Sequence, residues 1–408
     1  MYFEKGSDIM LLQFKFKNHK CFYDETVLDL TATQEKRYID TTFNVNGNNI
    51  LPLIEINGAN ASGKSSVLEA LSFMFQMIKL SNTFDVNNNL PTIPFAFSDK
   101  KMNENSEYEV SLCLEGQEYR YGFSMNKESF EEEWLYKKKF SLNSKSNQKI
   151  IFERYKDNVN FGKQYEKYKK TWELFKTNIN TNKSLILSNI AIKEEFGPLR
   201  SIYDYINKYS FKVDSVFKPQ MSIEILNHNS VLYNEFEKII NEFDPCLLGI
   251  NIEELTDESG NKSYNISGIH KNLDSEKNTL ITLSKESDCT IKMFNILPTI
   301  LKNLFVGGLL CIDELDVKLH PLLFRKIVNM YKDKNINKNN AQLIYTAHST
   351  FLFNSDNLRR DELYLVEKDK LGKSKLYSLS EFRNLRVDAD YEKKYLTGQF
   401  GAIPYEDK

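Results

Sequence analysis

The sequence predicts an α/β fold built on a mostly parallel core sheet, with an antiparallel β subdomain and a helical insert. Three observations predict it. A glycine-rich loop, Gly58-Ala59-Asn60-Ala61-Ser62-Gly63-Lys64-Ser65, lies between an apolar run, Leu53–Ile56, and a helix-compatible stretch over 66–80. Two further short apolar runs, Leu309–Ile312 and Ala341–Tyr345, have the continuous hydrophobicity of strands buried on both faces. Helical patterns separate these runs, and strands alternating with helices imply parallel pairing.

The elements follow in order. Met10 begins a cleaner strand pattern than Met1, so residues 1–9 read as a loose extension. Leu11 to Phe16 alternates as a strand, Lys17 to Lys20 turns it, and Val27 to Leu30 is a second strand. After the glycine-rich unit, Asn87 to Asn89 and Pro91 to Pro94 mark a loop. Tyr108–Leu114 and Glu118–Ser124 form a hairpin, which Trp134–Phe140 and Lys149–Arg154 extend into an antiparallel sheet. From Phe161 to Tyr209 the pattern is mainly helical, Val231 to Phe243 is another helix, and Ile250 to His270 reads as a hairpin turning at Glu258–Asn261. This stretch is too short and irregular in heptads for a long coiled coil. Thr290 to Phe305 carries apolar residues at helical spacing until Gly307-Gly308 breaks it. Leu322–Tyr331 is a helix, and Glu362–Val366 and Lys375–Leu379 are late strands. The organisation expected is therefore a core assembled from 1–145 and 281–408, with 146–280 as a mainly helical insert or lid.

Bulk properties exclude several classes. The chain of 408 residues is long enough for two or three domains, and its net charge of −2 provides no global basic field, so any nucleic-acid contact must be local. The basic stretches Lys137–Lys139 and Lys167–Lys170 read as solvated faces. Five cysteines, Cys21, Cys113, Cys246, Cys289 and Cys311, are scattered without a C-x-x-C pair, which argues against a disulfide frame or zinc site and for a reducing compartment. No stretch has the length and apolarity of a membrane span, and the start carries no secretory pattern. A soluble cytoplasmic protein with no membrane partner is expected. No H-N-H or R-x-x-x-x-H motif marks a nuclease. Asp388, Asp390 and Glu392 read as ordinary tail charge.

The glycine-rich loop matches G-x-x-x-x-G-K-[ST], the pattern that turns backbone N–H groups and a helix N-terminus toward one anion. Gly58 and Gly63 permit the tight turn, Asn60, Ala61, Ser62 and Ser66 complete the cradle, Lys64 can reach the β- and γ-phosphates, and Ser65 can hold Mg²⁺. The loop alone leaves kinases, GTPases and transporters open. Asp313 and Glu314 follow the apolar run Leu309–Ile312 and so sit at a strand's carboxyl end, where open α/β sheets bind ligands. Asp313 would hold Mg²⁺, directly or through water, and Glu314 would take a proton from, or orient, an attacking water.

Asp313-Glu314 followed by Leu315-Asp316, then Leu319-His320-Pro321, then Tyr345-Thr346-Ala347-His348-Ser349, resembles the ABC-type ATPases of the SMC, RecF and OLD-like branch. The resemblance implies that the two acids form the Walker B motif, that Asp316 lies in the D-loop, and that His348 is the switch sensing γ-phosphate. His320 is left open between a site role and a helix cap. The family closes as head-to-tail dimers around ATP, so a homodimer or higher homo-oligomer with ATP and Mg²⁺ is expected. The resemblance places its signature segment at Glu286-Ser287-Asp288-Cys289-Thr290, with Ser287 contacting nucleotide across the dimer; the residues alone read equally well as a simple helix N-cap by Ser or Asp. Cys289 departs from the usual Gly, which puts tight closure or fast hydrolysis in doubt. Arg386 and Tyr395 to Pro404, together with the Phe14–Phe22 start, are similar to an AAA-type subfamily found in bacterial phage-defence operons of the abortive-infection, PARIS-like and retron-associated kinds. That resemblance implies a sensor or regulator responding to a phage or DNA trigger through a separate effector, a TOPRIM/OLD-like or other nuclease. The alternative is a RecF- or SMC-like repair or recombination ATPase that binds DNA directly.

Overall fold

In the computed structural model, which describes residues 9–404 except 86, 142–146, 177–180, 195–196, 209, 214–218, 257–261, 276, 355, 384 and 387–388, the three apolar runs lie side by side in one sheet. The strands are β1 (Met10–Lys17), β2 (Thr26–Asp29), β3 (Phe43–Val45), β4 (Asn48–Ile50), β5 (Leu53–Gly58), β6 (Ser106–Leu114), β7 (Gln117–Met125), β8 (Phe130–Lys139), β9 (Lys149–Tyr155), β10 (Asn158–Phe161), β11 (Ser210–Val213), β12 (Leu247–Thr256), β13 (Lys262–His270), β14 (Thr279–Thr282), β15 (Leu309–Ile312), β16 (Gln342–Thr346), β17 (Leu363–Lys368) and β18 (Ser374–Ser378). The helices are α1 (Lys64–Leu80), α2 (Asp99–Met102), α3 (Glu166–Phe175), α4 (Ile186–Lys193), α5 (Pro198–Lys208), α6 (Pro219–His228), α7 (Ser230–Phe243), α8 (Asp288–Val306), α9 (Pro321–Lys332) and α10 (Tyr391–Leu396).

The core sheet has the order β11-β15-β16-β5-β17-β18, parallel except for β18. Its central strands are buried on both faces because helices cover both sides. Ile54, Ile56, Leu309, Cys311 and Ile344 point into a core that includes α1. Leu53, Leu310, Ile312, Leu343 and Tyr345 point into the opposite one, with α8 and α9. This strict alternation explains why the strands read as continuous apolar runs.

A second sheet, β10-β9-β8-β7-β6-β1-β2, is antiparallel throughout. The stretch over 146–280 shares in both sheets. β9 and β10 continue the antiparallel one, and β11 returns as the edge strand beside β15. The hairpin read over 250–270 becomes a three-stranded unit, β12-β13-β14, and its expected turn at 258–261 lies outside the described residues. The short hairpin β3-β4 and the strand β11 carry no sequence signal beyond a few residues each. Among the described residues, no helix is long and apolar enough to cross a membrane.

Candidate functional site

Three parallel strands end at one edge of the core sheet, and each delivers part of a site. β5 runs into the glycine-rich loop, β15 into Asp313-Glu314, and β16 into Ala347-His348. The register aligns Ile312 with Tyr345 and Thr346 with Ile56, so the three ends are level.

The loop needs its glycines. Gly58 has φ +146° and Gly63 has φ +115°. A Cβ on Gly58 would run into the Val366 carbonyl, and one on Gly63 would lie 2.7 Å from the Cys21 sulfur. The Lys64 ammonium is buried, donating to the carbonyls of Gly58 at 2.8 Å and Ala59 at 3.1 Å. Burial pulls its pKa down, while Asp313, Asp316 and Glu314 oppose that shift. A buried cation resting on carbonyls, a cradle that side chains would fill, and a buried Ser62 hydroxyl without a hydrogen-bond partner together fit a polyphosphate.

The carboxylates are tied to the loop. Ser65 Oγ donates to Asp313 Oδ1 at 3.0 Å, and Thr346 Oγ1 donates to the same oxygen at 2.6 Å. Thr346 Oγ1 also accepts from the Glu314 N–H at 2.7 Å. Glu314 has a left-handed φ of +53°, which is unusual for a residue with a Cβ. Its backbone is held on both sides, by Thr346 at the N–H and by Lys292 Nζ donating to its carbonyl at 3.0 Å. Its carboxylate lies 3.5 Å from His348 Nε2, and both side chains are more than a third exposed. Asp316 works through the backbone, its Oδ2 accepting from the N–H groups of His348 at 3.0 Å and Ser349 at 2.7 Å.

These groups border a cleft of about 590 Å³. Asn60, Ala61, Ser62, Gly63, Lys64, Ser65, Ser66, Glu314 and His348 line it, together with Thr346, Lys20, Cys21 and Lys368, which sequence reasoning missed. Gly58 and Asp313 lie beside the lining, each bonded to a lining residue, Lys64 and Ser65 respectively. Thr346 and Lys292 were illegible because a hydroxyl after an apolar run, or a lysine on a helix, has no fixed spacing to the acid it serves.

Ser287 is not in this cleft. It is the N-cap of α8, its Oγ accepting from Thr290 N at 3.1 Å, and Cys289 sits half-buried in the first turn. His320, left open between site and cap, is the N-cap of α9 through Nδ1, which accepts from Leu322 N at 3.2 Å. Among the described residues no three His, Cys, Asp or Glu side chains cluster as a metal site. Ser65 and Asp313 nevertheless suit Mg²⁺, which takes one or two protein oxygens beside substrate phosphates.

A family model described as "AAA domain, putative AbiEii toxin, Type IV TA system" matches residues 56–354, which spans the loop, both acids and His348. The chain belongs to this AAA family. Its solved structural neighbours include the SMC head domain from Thermotoga maritima, at 12% identity and a TM-score of 0.42, covering 90% of this chain and 98% of that one. Another is an SMC head bound to the C-terminal winged-helix domain of ScpA, at 11% identity and a TM-score of 0.43, covering 90% and 97%. No curated protein matches the chain. The architecture of this AAA protein rests on its own strand order, a mixed α/β core with a mostly parallel sheet.

Proposed function

We propose that this AAA protein is a Mg²⁺-dependent ATPase of ABC type that dimerises around ATP and regulates a separate effector in bacterial anti-phage defence. The observation that carries the reading is the bonded series Ser65–Asp313–Thr346–Glu314, with His348 3.5 Å from the Glu314 carboxylate, all at the mouth of the phosphate loop.

Mg²⁺, when bound, would neutralise charge on the β- and γ-phosphates. Ser65 and Asp313 are its ligands in this reading. Lys64 exchanges its two carbonyl partners for phosphate oxygens, a stronger charge-assisted contact. Glu314 orients a water and takes its proton at the carboxylate. His348 hydrogen-bonds the terminal phosphate and reports its loss through Glu314. Ser287 of a second copy would close the site, as the head-to-tail arrangement of ABC-type heads implies.

The defence role draws support from the family description, which names a putative AbiEii toxin and a type IV TA system. The alternative, a clamp that binds DNA directly, has less support. The basic stretches are largely engaged: Lys138 pairs with Glu118 at 3.0 Å, Lys137 lies over the Tyr119 ring, and Lys167 pairs with Glu194 at 3.0 Å.

The test is Glu314→Gln. ATP turnover is expected to fall by about 100-fold or more, with ATP binding retained and an ATP-bound dimer accumulating in light scattering. Unchanged turnover would remove Glu314 from the mechanism. Strong stimulation of the wild type by DNA would favour the clamp.

A further inference from the structure

The C-terminal segment takes no part in the chemistry above, yet it touches both loops of the cleft. The Ala402 carbonyl accepts from the N–H of Ala59, inside the phosphate loop, at 2.9 Å. At the other end of the segment, the Glu392 carboxylate accepts from Thr350 Oγ1 at 2.6 Å, and the Glu392 N–H donates to the Phe353 carbonyl at 2.9 Å. Thr350 directly follows His348-Ser349, and Phe353 lies a few residues further along the same loop.

The path between these contacts is fixed by side chains from the core. Tyr395 packs its ring on Phe353, centroids 5.3 Å apart, and donates its hydroxyl to the Ala402 carbonyl at 3.1 Å. Tyr377, on β18, donates to the Phe400 carbonyl at 2.7 Å. Tyr391, Tyr395, Phe400 and Ala402 are all buried. Two successive left-handed residues, Gly401 at φ +70° and Ala402 at φ +56°, bend the chain into the loop. At Ala402 this conformation crowds the Cβ against the following carbonyl oxygen. At Gly401 a Cβ would lie 3.0 Å from the Tyr377 hydroxyl and 3.1 Å from Glu367.

We propose that residues 391–404 are a strap that holds the phosphate loop in register with the His348 loop, with Tyr377 and Tyr395 as positioning residues for nucleotide binding. The proposal rests on the nucleotide-binding reading of the cleft. Ala59 is held at its N–H by the strap, and at its carbonyl by Lys64 Nζ at 3.1 Å and the Ser62 N–H at 3.2 Å. When Lys64 turns to phosphate, its hold on Ala59 is lost, and the strap bond remains as the link from Ala59 to the rest of the fold, beside the bond from Ser62 within the loop. The strap thus keeps the loop pre-organised at the step where ligand binding loosens it, which lowers the ordering cost of binding. Linkage makes the effect reciprocal, so bound ATP must also tighten the strap.

The experiment uses the full chain and the double variant Tyr377→Phe/Tyr395→Phe, which keeps both rings and removes both hydroxyls. ATP affinity is read by titration and backbone exchange by hydrogen–deuterium exchange. The Kd and KM for ATP are expected to rise about fivefold or more with kcat within about twofold, and the Ala59 amide is expected to exchange faster. In the wild type, ATP is expected to slow exchange across 396–404, a readout that needs no variant. Wild type that binds ATP while that protection is absent and the variant's Kd is unchanged would overturn the strap. Wild type that does not bind ATP at all would instead overturn the reading of the cleft, and the strap's role with it.

Discussion

Two helix starts carry the proposed site, and they are prepared in opposite ways. At α1, the N-cap is Gly63, which offers no side-chain bond; the Ser66 N–H turns back to the Gly63 carbonyl at 3.0 Å, and the N–H groups of Lys64 and Ser65 ahead of it are left for an anion. At α8, Ser287 caps the helix itself, bonding the N–H of Thr290 at 3.1 Å and its hydroxyl at 2.9 Å, while Asp288 pairs with Lys318 at 3.2 Å. The first terminus is complete only with a ligand. The second is complete without one. A ligand reaching Ser287 in the proposed dimer must come on another molecule, and it must exchange with or add to a cap worth about 1 kcal/mol.

Three substitutions break or sharpen this contrast. The largest effect is expected at the prepared end from Thr346→Val, which keeps the shape of a fully buried side chain. It leaves the Glu314 N–H without its acceptor and removes one of the two hydroxyls donating to Asp313 Oδ1, a loss of about 1–3 kcal/mol. Turnover should drop about 10- to 100-fold with ATP affinity nearly kept, measured by steady-state kinetics. An equal loss of affinity would mean that Thr346 holds the loop and not the acids.

Next is Glu55→Gln, on the strand that feeds the loop. Glu55 is fully buried, accepts from Tyr345 at 2.6 Å, and has its pKa pushed up to about 8, chiefly by burial, with the Tyr345 bond opposing. An acid whose folded pKa lies above its unfolded value stays protonated in the native state after the unfolded chain has ionised. Stability is therefore full below about pH 4.5 and declines as pH rises toward 8, by at most about 1.4 kcal/mol per pH unit. Thermal melts of wild type should lose ground to the Gln variant across that window. A constant difference would show that Glu55 is ionised in the fold.

The smallest effect is expected from Cys289→Gly at the capped end. Glycine in the first turn of α8 should cost up to about 1 kcal/mol of stability. If Cys bulk slows closure, turnover should rise about two- to fivefold. Unchanged turnover would show that Cys289 does not restrain the reaction.

What the sequence revealed follows the same division. That Lys64, Ser65, Asp313 and Glu314 meet was legible because the glycine-rich loop and the two acids each directly follow an apolar run that forms a core strand. The core strands were legible because they are buried on both faces. Thr346, Lys292 and the Ala402 carbonyl were not legible, because they act on residues 32, 22 and 343 positions away through single hydrogen bonds. The edge strand β11 was hidden for another reason: its four residues follow a helical stretch and gain their conformation from pairing with β15. Asp390 and Glu392, which read as tail charge, cap α10 and hold Thr350, while Asp388 lies outside the described residues.

The central claim is that one site is built from two copies, with Lys64 on one and Ser287 on the other. Mixing two variants tests it most directly. Lys64→Ala and Ser287→Arg should each abolish ATP turnover alone. Combined, their heterodimers would carry one intact site, so the mixture should recover up to about a quarter of wild-type turnover, as random pairing makes half the dimers mixed. A mixture that stays inactive, or Ser287→Arg that is fully active alone, would contradict a shared site.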